Sequence, residues 1–178
     1  MTGRWENGMT EDKYRIITEC ISGIKHGPKM VRLLDQLVTM IIFLLYPVLL
    51  GELYLLDRSD LLLPVLVVPA TGFVVVSLMR HVIHSKRPYE VYDFTPIIQK
   101  ETVEHSFPSR HVCSAVLIAM AFLQLDVSNG LEILLLAAIL SALRVLGGVH
   151  FPKDVIAGYL MGLGFSLLGY YLVFNISR

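Results

Sequence analysis

Charge is scarce in this 178-residue chain: 15 Lys and Arg are matched by 15 Asp and Glu, so the formal net charge is zero. A nucleic-acid partner is therefore not expected, because such binding needs a basic excess gathered on one face. Cysteine is scarcer still. Cys20 and Cys113 lie far apart and in no Cys-x-x-Cys or Cys/His ligand spacing, which excludes a disulfide framework and predicts two free thiols. Residues 1–29 are mixed polar throughout and lack the basic stretch, apolar core and small-residue cleavage site of a secretory signal. Insertion into a membrane is expected to rely on internal segments. No repeat, low-complexity tract or interdomain linker breaks the chain, and its length suits one domain over residues 1–178.

Apolar residues, in contrast, make up 54% of the chain, and the mean hydropathy is +0.63. That balance is far from a soluble domain and predicts lipid as the solvent for much of the surface. Five apolar runs, at about residues 37–56, 61–81, 109–127, 131–149 and 155–174, approach the roughly 20 residues that a spanning helix needs. The expected fold is all-α: a multi-pass membrane bundle of about five transmembrane helices.

An interfacial amphipathic helix is expected in the N-terminal segment 1–33, where Tyr14, Ile16, Ile17, Cys20, Ile21 and Ile24 can share a helical stripe. The alternative is a soluble tail. Pro64 and Pro69 fall within the second run, where neighbouring groups in a membrane can satisfy the freed carbonyls. Gly158 and Gly162, four apart, predict close packing of the last helix. The polar connection at 85–108 is too long for an idle turn and is expected to be an active-site loop.

Three clusters of polar groups stand at the ends of these runs, where ionisable side chains are costly. Arg80 and Arg87 are seven apart, so on a continuous helix they would share a face before Pro88 stops it. Phe107-Pro108-Ser109-Arg110-His111 opens the third run, with Ser109 placed as N-cap and the helix end ready to attract an anion. Arg144 precedes Gly147-Gly148 and His150-Phe151-Pro152-Lys153-Asp154, where Asp154 can cap the last helix while accepting a hydrogen bond from an imidazole. Each cluster alone has a plain reading as a boundary arginine, a helix cap or a solvated histidine. Their joint order is far more specific.

Arg80-x6-Arg87-Pro88, Pro108-Ser109-x-His111 and Arg144-x5-His150-x3-Asp154, spaced in this order, resemble the three-part signature of the type 2 phosphatidic acid phosphatase superfamily, to which vanadium haloperoxidases and glucose-6-phosphatase also belong. The resemblance covers about residues 60–175. It implies a membrane lipid phosphatase without a cofactor or metal, working through a phosphohistidine. Arg80, Arg87, Ser109 and Arg144 would bind phosphate, His150 would be the nucleophile, Asp154 its orienting partner and His111 the general acid. The sequence also offers no His/Asp/Glu cluster with metal-ligand spacing. The implied substrate is a lipid phosphate or diphosphate held in membrane lipid: a polyprenyl diphosphate, phosphatidylglycerol phosphate or phosphatidic acid.

Three positions depart from the family pattern: Arg80 stands for lysine, Arg110 for glycine and Leu143 for serine. Arg110 adds a guanidinium that would contact a second phosphate, against the plain reading of a boundary arginine directed at lipid head groups. Two other functions stay open, a lipid phosphotransferase of the same superfamily and a catalytically silent lipid-phosphate binding protein. The expected location is a bacterial plasma membrane. For sidedness two arguments oppose each other. Lys13, Arg15, Lys25, Lys29 and Arg32 place the site face in the cytoplasm, whereas the resemblance implies an outward face in many bacterial relatives.

Overall fold

The computed structural model describes residues 9–99 and 103–176, and the ends of the N-terminal segment and of the chain, with three positions of the long loop, lie outside the described residues. Seven helices are described: α1 (Glu11–Gly23), α2 (Gly27–Leu55), α3 (Ser59–Val82), α4 (Pro88–Val91), α5 (Arg110–Phe122), α6 (Val127–Leu146) and α7 (Pro152–Ile176). Among the described residues there is no strand, only one isolated bridge between Ser85 and His105.

Four helices, α2, α3, α6 and α7, are long and apolar enough to cross a membrane. On α2 the buried positions Asp35, Val38, Ile42, Leu49 and Leu53 recur at helical spacing and face the bundle, while Leu37, Met40, Leu44 and Val48 are exposed. Apolar side chains on both faces are the mark of a helix with protein on one side and lipid on the other. α3 stays one helix through Pro64 and Pro69.

The third apolar run behaves differently from the other four. α5 has 13 residues, a rise of about 20 Å against a hydrocarbon core of about 30 Å. It is the centre of the molecule: every residue from 112 to 122 is buried, and α2, α3, α6 and α7 all pack on it. The run ends early because Asp126 caps the next helix, its carboxylate accepting from Asn129 N at 2.8 Å, so α6 starts at Val127 and not at Leu131.

Lipid tails are as apolar as leucine, so helix association here depends on close packing and interhelical hydrogen bonds. Gly158 and Gly162 supply the first: a Cβ at 158 would lie 2.5 Å from the carbonyl oxygen of Ser109, and one at 162 would lie 2.7 Å from Val116 Cβ. This draws the start of α7 against the start of α5. Tyr46 Oη to Val65 O at 3.0 Å and Tyr159 Oη to Leu134 O at 3.1 Å supply the second, each worth about 0.6 kcal/mol in membrane bundles.

α1 forms where the amphipathic stripe is expected, but the stripe divides. Tyr14 is buried, with Ile17 and Ile21 half-buried against the body, whereas Ile16, Cys20 and Ile24 are exposed. The helix is thus anchored to the domain as well as apolar on its outer side. The first span begins at Gly27, ten residues earlier than hydropathy predicts, and takes in part of the expected interfacial segment. The 85–108 loop is pinned at both ends: Ser85 and Ser106 pair through their backbones, and buried Ile97 and Ile98 pack with Val149 while Ile98 N donates to Gly147 O at 3.0 Å.

Candidate active site

The N-termini of α5 and α7, the C-termini of α3 and α6, and the 85–108 loop meet around a cavity of about 260 Å³, lined by Ser77, Arg80, His81, Arg87, His105, Arg110, His111, Arg144 and His150. Six of the eight candidates therefore line this one cavity. The other two, Ser109 and Asp154, are wholly buried beside it.

Arg80 and Arg87 converge by a route other than a shared helix face. α3 stops at Val82, and Arg87 has extended backbone as the residue before α4. Arg80 spends its fork on the loop: Nη1 donates to Pro108 O at 2.6 Å and Ser106 O at 3.2 Å, and Nη2 to His105 O. The planar fork, which stands where the family has lysine, thus spreads its donors over three loop carbonyls. Arg87 Nη1 donates to Val149 O at 3.3 Å, and burial lowers this guanidinium below its ordinary range.

Arg144 is almost fully enclosed, and Nε lies 2.8 Å from Asp35 Oδ1 in a buried ion pair, with Nη2 3.3 Å from Thr39 Oγ1. Its Nη1 is buried with no hydrogen-bond partner among the described residues. Ser109 occupies the N-cap position of α5, yet its hydroxyl caps nothing and is likewise buried without a partner. Leu143, where the family has serine, packs into the bundle core.

His150 sits in the turn between α6 and α7, which Gly148 makes possible with φ +73. Its Nδ1 is 3.3 Å from Ser106 Oγ and 3.5 Å from Asp154 Oδ2, both at the long end of hydrogen-bond range. Ser106 Oγ donates to Asp154 Oδ2 at 2.5 Å, and that oxygen also accepts from Phe151 N at 3.0 Å. Asp154 thus faces the imidazole both directly and through the Ser106 hydroxyl that bridges the two. Since the hydroxyl proton goes to Asp154, the hydroxyl oxygen accepts from His150, leaving Nδ1 protonated and Nε2 with its lone pair. Burial pushes His150 from 6.5 down to about 4, Asp154 opposing and Arg87 assisting, so the ring is neutral at pH 7. Tyr14 Oη fixes the turn from outside by donating to His150 O at 3.0 Å.

His111 is half-buried, its ring 6.4 Å from that of Phe43. Arg110 is exposed and lies 5.6 Å from the Phe73 ring. Both also line a second cavity of about 230 Å³, with Phe43, Phe73 and Ser114. Those three residues continue into an apolar cavity of about 310 Å³ between α2, α3 and α5, reaching Leu66, Pro69 and Ala70. A polar chamber and an apolar groove are thus neighbours, each sharing lining residues with the cavity between them. Among the described residues no three His, Cys, Asp or Glu side chains converge in a way that could hold a metal ion.

Asp35, Ser106, Tyr14 and His105 are parts of this site that the motifs do not mark. Only Asp35 carried a usable signal, as the single acid in the apolar stretch that opens α2, where an ionisable group is a functional candidate by default.

Comparison with known proteins agrees with this architecture. A crystal structure of Aquifex aeolicus LpxE superposes with a TM-score of 0.66 at 23% identity, covering 90% of this chain and 93% of that one. That of a transmembrane PAP2 type phosphatidylglycerolphosphate phosphatase from Bacillus subtilis gives 0.68 at 20% identity, covering 93% and 86%. Both carry the fold. A lipid A 1-phosphatase of Rhizobium etli is 35% identical over 97 residues, covering 52% of this chain and 41% of its own length. An undecaprenyl-diphosphatase of Sulfolobus acidocaldarius is 29% identical over 101 residues, covering 54% and 48%. The chain thus spans less than half the length of these two relatives. The family model of the PAP2 superfamily matches residues 61–178, which takes in all three motifs and the helices that carry them, and the chain belongs to that superfamily.

Proposed function

We propose that this protein is an integral-membrane phosphatase that removes phosphate from a lipid head group through a phosphohistidine on His150. The observation that carries the reading is the pair of buried donors without partners, Arg144 Nη1 and Ser109 Oγ, beside a cavity lined by Arg80, Arg87 and a neutral histidine. An unmet buried donor costs about 1–3 kcal/mol, and a phosphate oxygen would relieve it. Fixed cations and donors of this kind follow charge into the transition state without reorganisation.

In the proposed reaction Nε2 of His150 attacks phosphorus in line, the P–N bond forms and the P–O bond to the lipid breaks. His111 donates a proton to the departing oxygen and then draws one from the water that hydrolyses the phosphohistidine. Asp154, through Ser106, holds the tautomer and balances the positive ring. The lipid tail lies in the groove between α2, α3 and α5, and the head group enters past Arg110 and His111. Relatives named as acting on lipid A and on undecaprenyl diphosphate support a lipid substrate.

Purified protein in detergent is expected to release inorganic phosphate from lipid phosphates in the presence of chelator, with inhibition by vanadate and with long-tailed substrates preferred over short water-soluble phosphate esters. A strict magnesium requirement would overturn the mechanism. Phosphate release that stops when a hydroxyl acceptor is supplied, with phosphorylated acceptor formed instead, would identify a phosphotransferase.

A further inference from the structure

The cavity is lined by cationic side chains in two tiers. Buried Arg87, Arg144 and His150 form the deep wall, while His81 at the end of α3, His105 on the loop and Arg110 at the start of α5 form the outer rim. The rings of His81 and His105 are stacked, with centroids 5.8 Å apart and planes 17° from parallel. His105 Nδ1 lies 3.0 Å from the backbone oxygen of Arg80. A carbonyl oxygen only accepts, so Nδ1 carries the proton of the neutral ring and Nε2 bears a lone pair. Neutral His105 therefore turns away an anion at Nε2, and the protonated ring donates to it.

The charged and titratable groups around the pair come from every side: Arg80 on α3, His84 with its ring 6.0 Å from His105, Arg87 before α4, Arg110 on α5, and the loop carboxylates Glu90 and Glu104. Glu90 is engaged by the backbone N–H groups of Arg87 and Glu104. Protonating two stacked imidazoles among three arginines sets like charges together, and an anion lodged against them removes that penalty. Proton binding and anion binding at the rim are then linked, each strengthening the other.

We propose that His81, His105 and Arg110 form an outer anion subsite that binds a second anionic group of the lipid head group, as in a lipid diphosphate, and binds it together with a proton. The proposal rests on the reading of the cavity as a lipid-phosphate site and adds a substrate class and a pH dependence to it. Imidazole is the side chain that changes charge between pH 5 and 8.

The test compares a lipid diphosphate with the monophosphate of the same tail in wild type and His105→Asn, which keeps a donor for the Arg80 carbonyl. The quantity read is the ratio of kcat/KM for the two substrates. In wild type it is expected to rise about tenfold from pH 8 to pH 5.5, within the usual range of coupling between sites. In His105→Asn, where substrate ionisation is unchanged, the rise should be lost. An equal rise in both proteins would overturn the proposal. A second measurement needs no turnover: the His105 ring resonance, assigned by its absence from the variant, is titrated with methylenediphosphonate or methylphosphonate present. The diphosphonate should move the midpoint upward by about one pH unit, a tenfold coupling, and the monophosphonate should not. Should lipid phosphates fail to be hydrolysed at all, the functional reading falls while this titration still decides the subsite, and an unmoved midpoint refutes it.

Discussion

In the proposed reaction, Ser106 sets which nitrogen of His150 keeps the lone pair for phosphorus. Its hydroxyl donates a hydrogen bond to Asp154 and accepts one from His150 Nδ1–H, so the lone pair stays on Nε2. Ser106→Ala is expected to lower kcat by about 10- to 100-fold, as loss of an outer partner of a functional histidine does, while vanadate affinity changes little. Nitrogen NMR of His150 should show a single Nδ1–H tautomer in wild type, a mixture in Ser106→Ala and recovery in Ser106→Thr. An unchanged tautomer in the alanine variant would remove Ser106 from the mechanism. With His150 lowered to about 4, the proposed nucleophile stays neutral well below pH 6.5 and is expected to set the acid limb of kcat/KM near pH 4. The same shift bears on stability. Between pH 6.5 and 4 the unfolded chain binds a proton that the native site refuses, so the stability present above 6.5 declines as pH falls through that window. The motif residues were legible in the sequence because chemistry fixes their identity and spacing. Ser106 was not, since a serine two positions before Pro108 reads as a turn residue until the fold sets it against Asp154.

Helices α1 and α2 precede the residues matched by the family model, yet each reaches the site. α2 supplies Asp35 and Thr39 to Arg144, and α1 supplies Tyr14 to the His150 turn. With side-chain exposures of 2% and 6%, the Arg144–Asp35 pair is sealed from water, and removing one partner strands a buried charge. Asp35→Ala should therefore cost about 3–5 kcal/mol, read as a lower unfolding midpoint in detergent. Asp35→Leu with Arg144→Met should restore stability without restoring phosphate release. If Asp35→Ala unfolds like wild type, the pair does not hold α2 to the site. Hydropathy located all four helices long enough to span, because lipid leaves the backbone no other solution than an apolar helix of sufficient length, while the third of the five expected spans became the 13-residue α5. It failed at the ends. It overextended α5 because Leu123 and Leu125 continue the apolar character past the turn, and it started α2 late because Lys29, Arg32 and Asp35 interrupt the apolar run although the helix begins at Gly27, with Pro28 a favourable first-turn residue.

For the whole molecule, α1 and the cavity share one face, with Tyr14 bonded to the His150 turn, and Lys13, Arg15, Lys25, Lys29 and Arg32 lie in α1, in the turn after it and at the start of α2. We infer from the positive-inside rule that this face is cytoplasmic. In a background free of Cys20 and Cys113, Lys25→Cys should resist an impermeant thiol reagent in intact cells while Asn129→Cys reacts, and the reverse pattern would place the site outside. On the proposed function, the apolar groove beside the polar chamber would let a lipid substrate enter from the bilayer, which suits a polar site at the N-terminal end of α5, a short helix buried from residue 112 to 122. The central claim is that phosphate passes onto His150. Acid-labile, base-stable phosphate trapped by rapid quench from a lipid phosphate in chelator should map by mass spectrometry to His150 and be absent from His150→Ala, which should also be inactive. Turnover by His150→Ala, or wild-type turnover with phosphate trapped on another residue, would contradict the account.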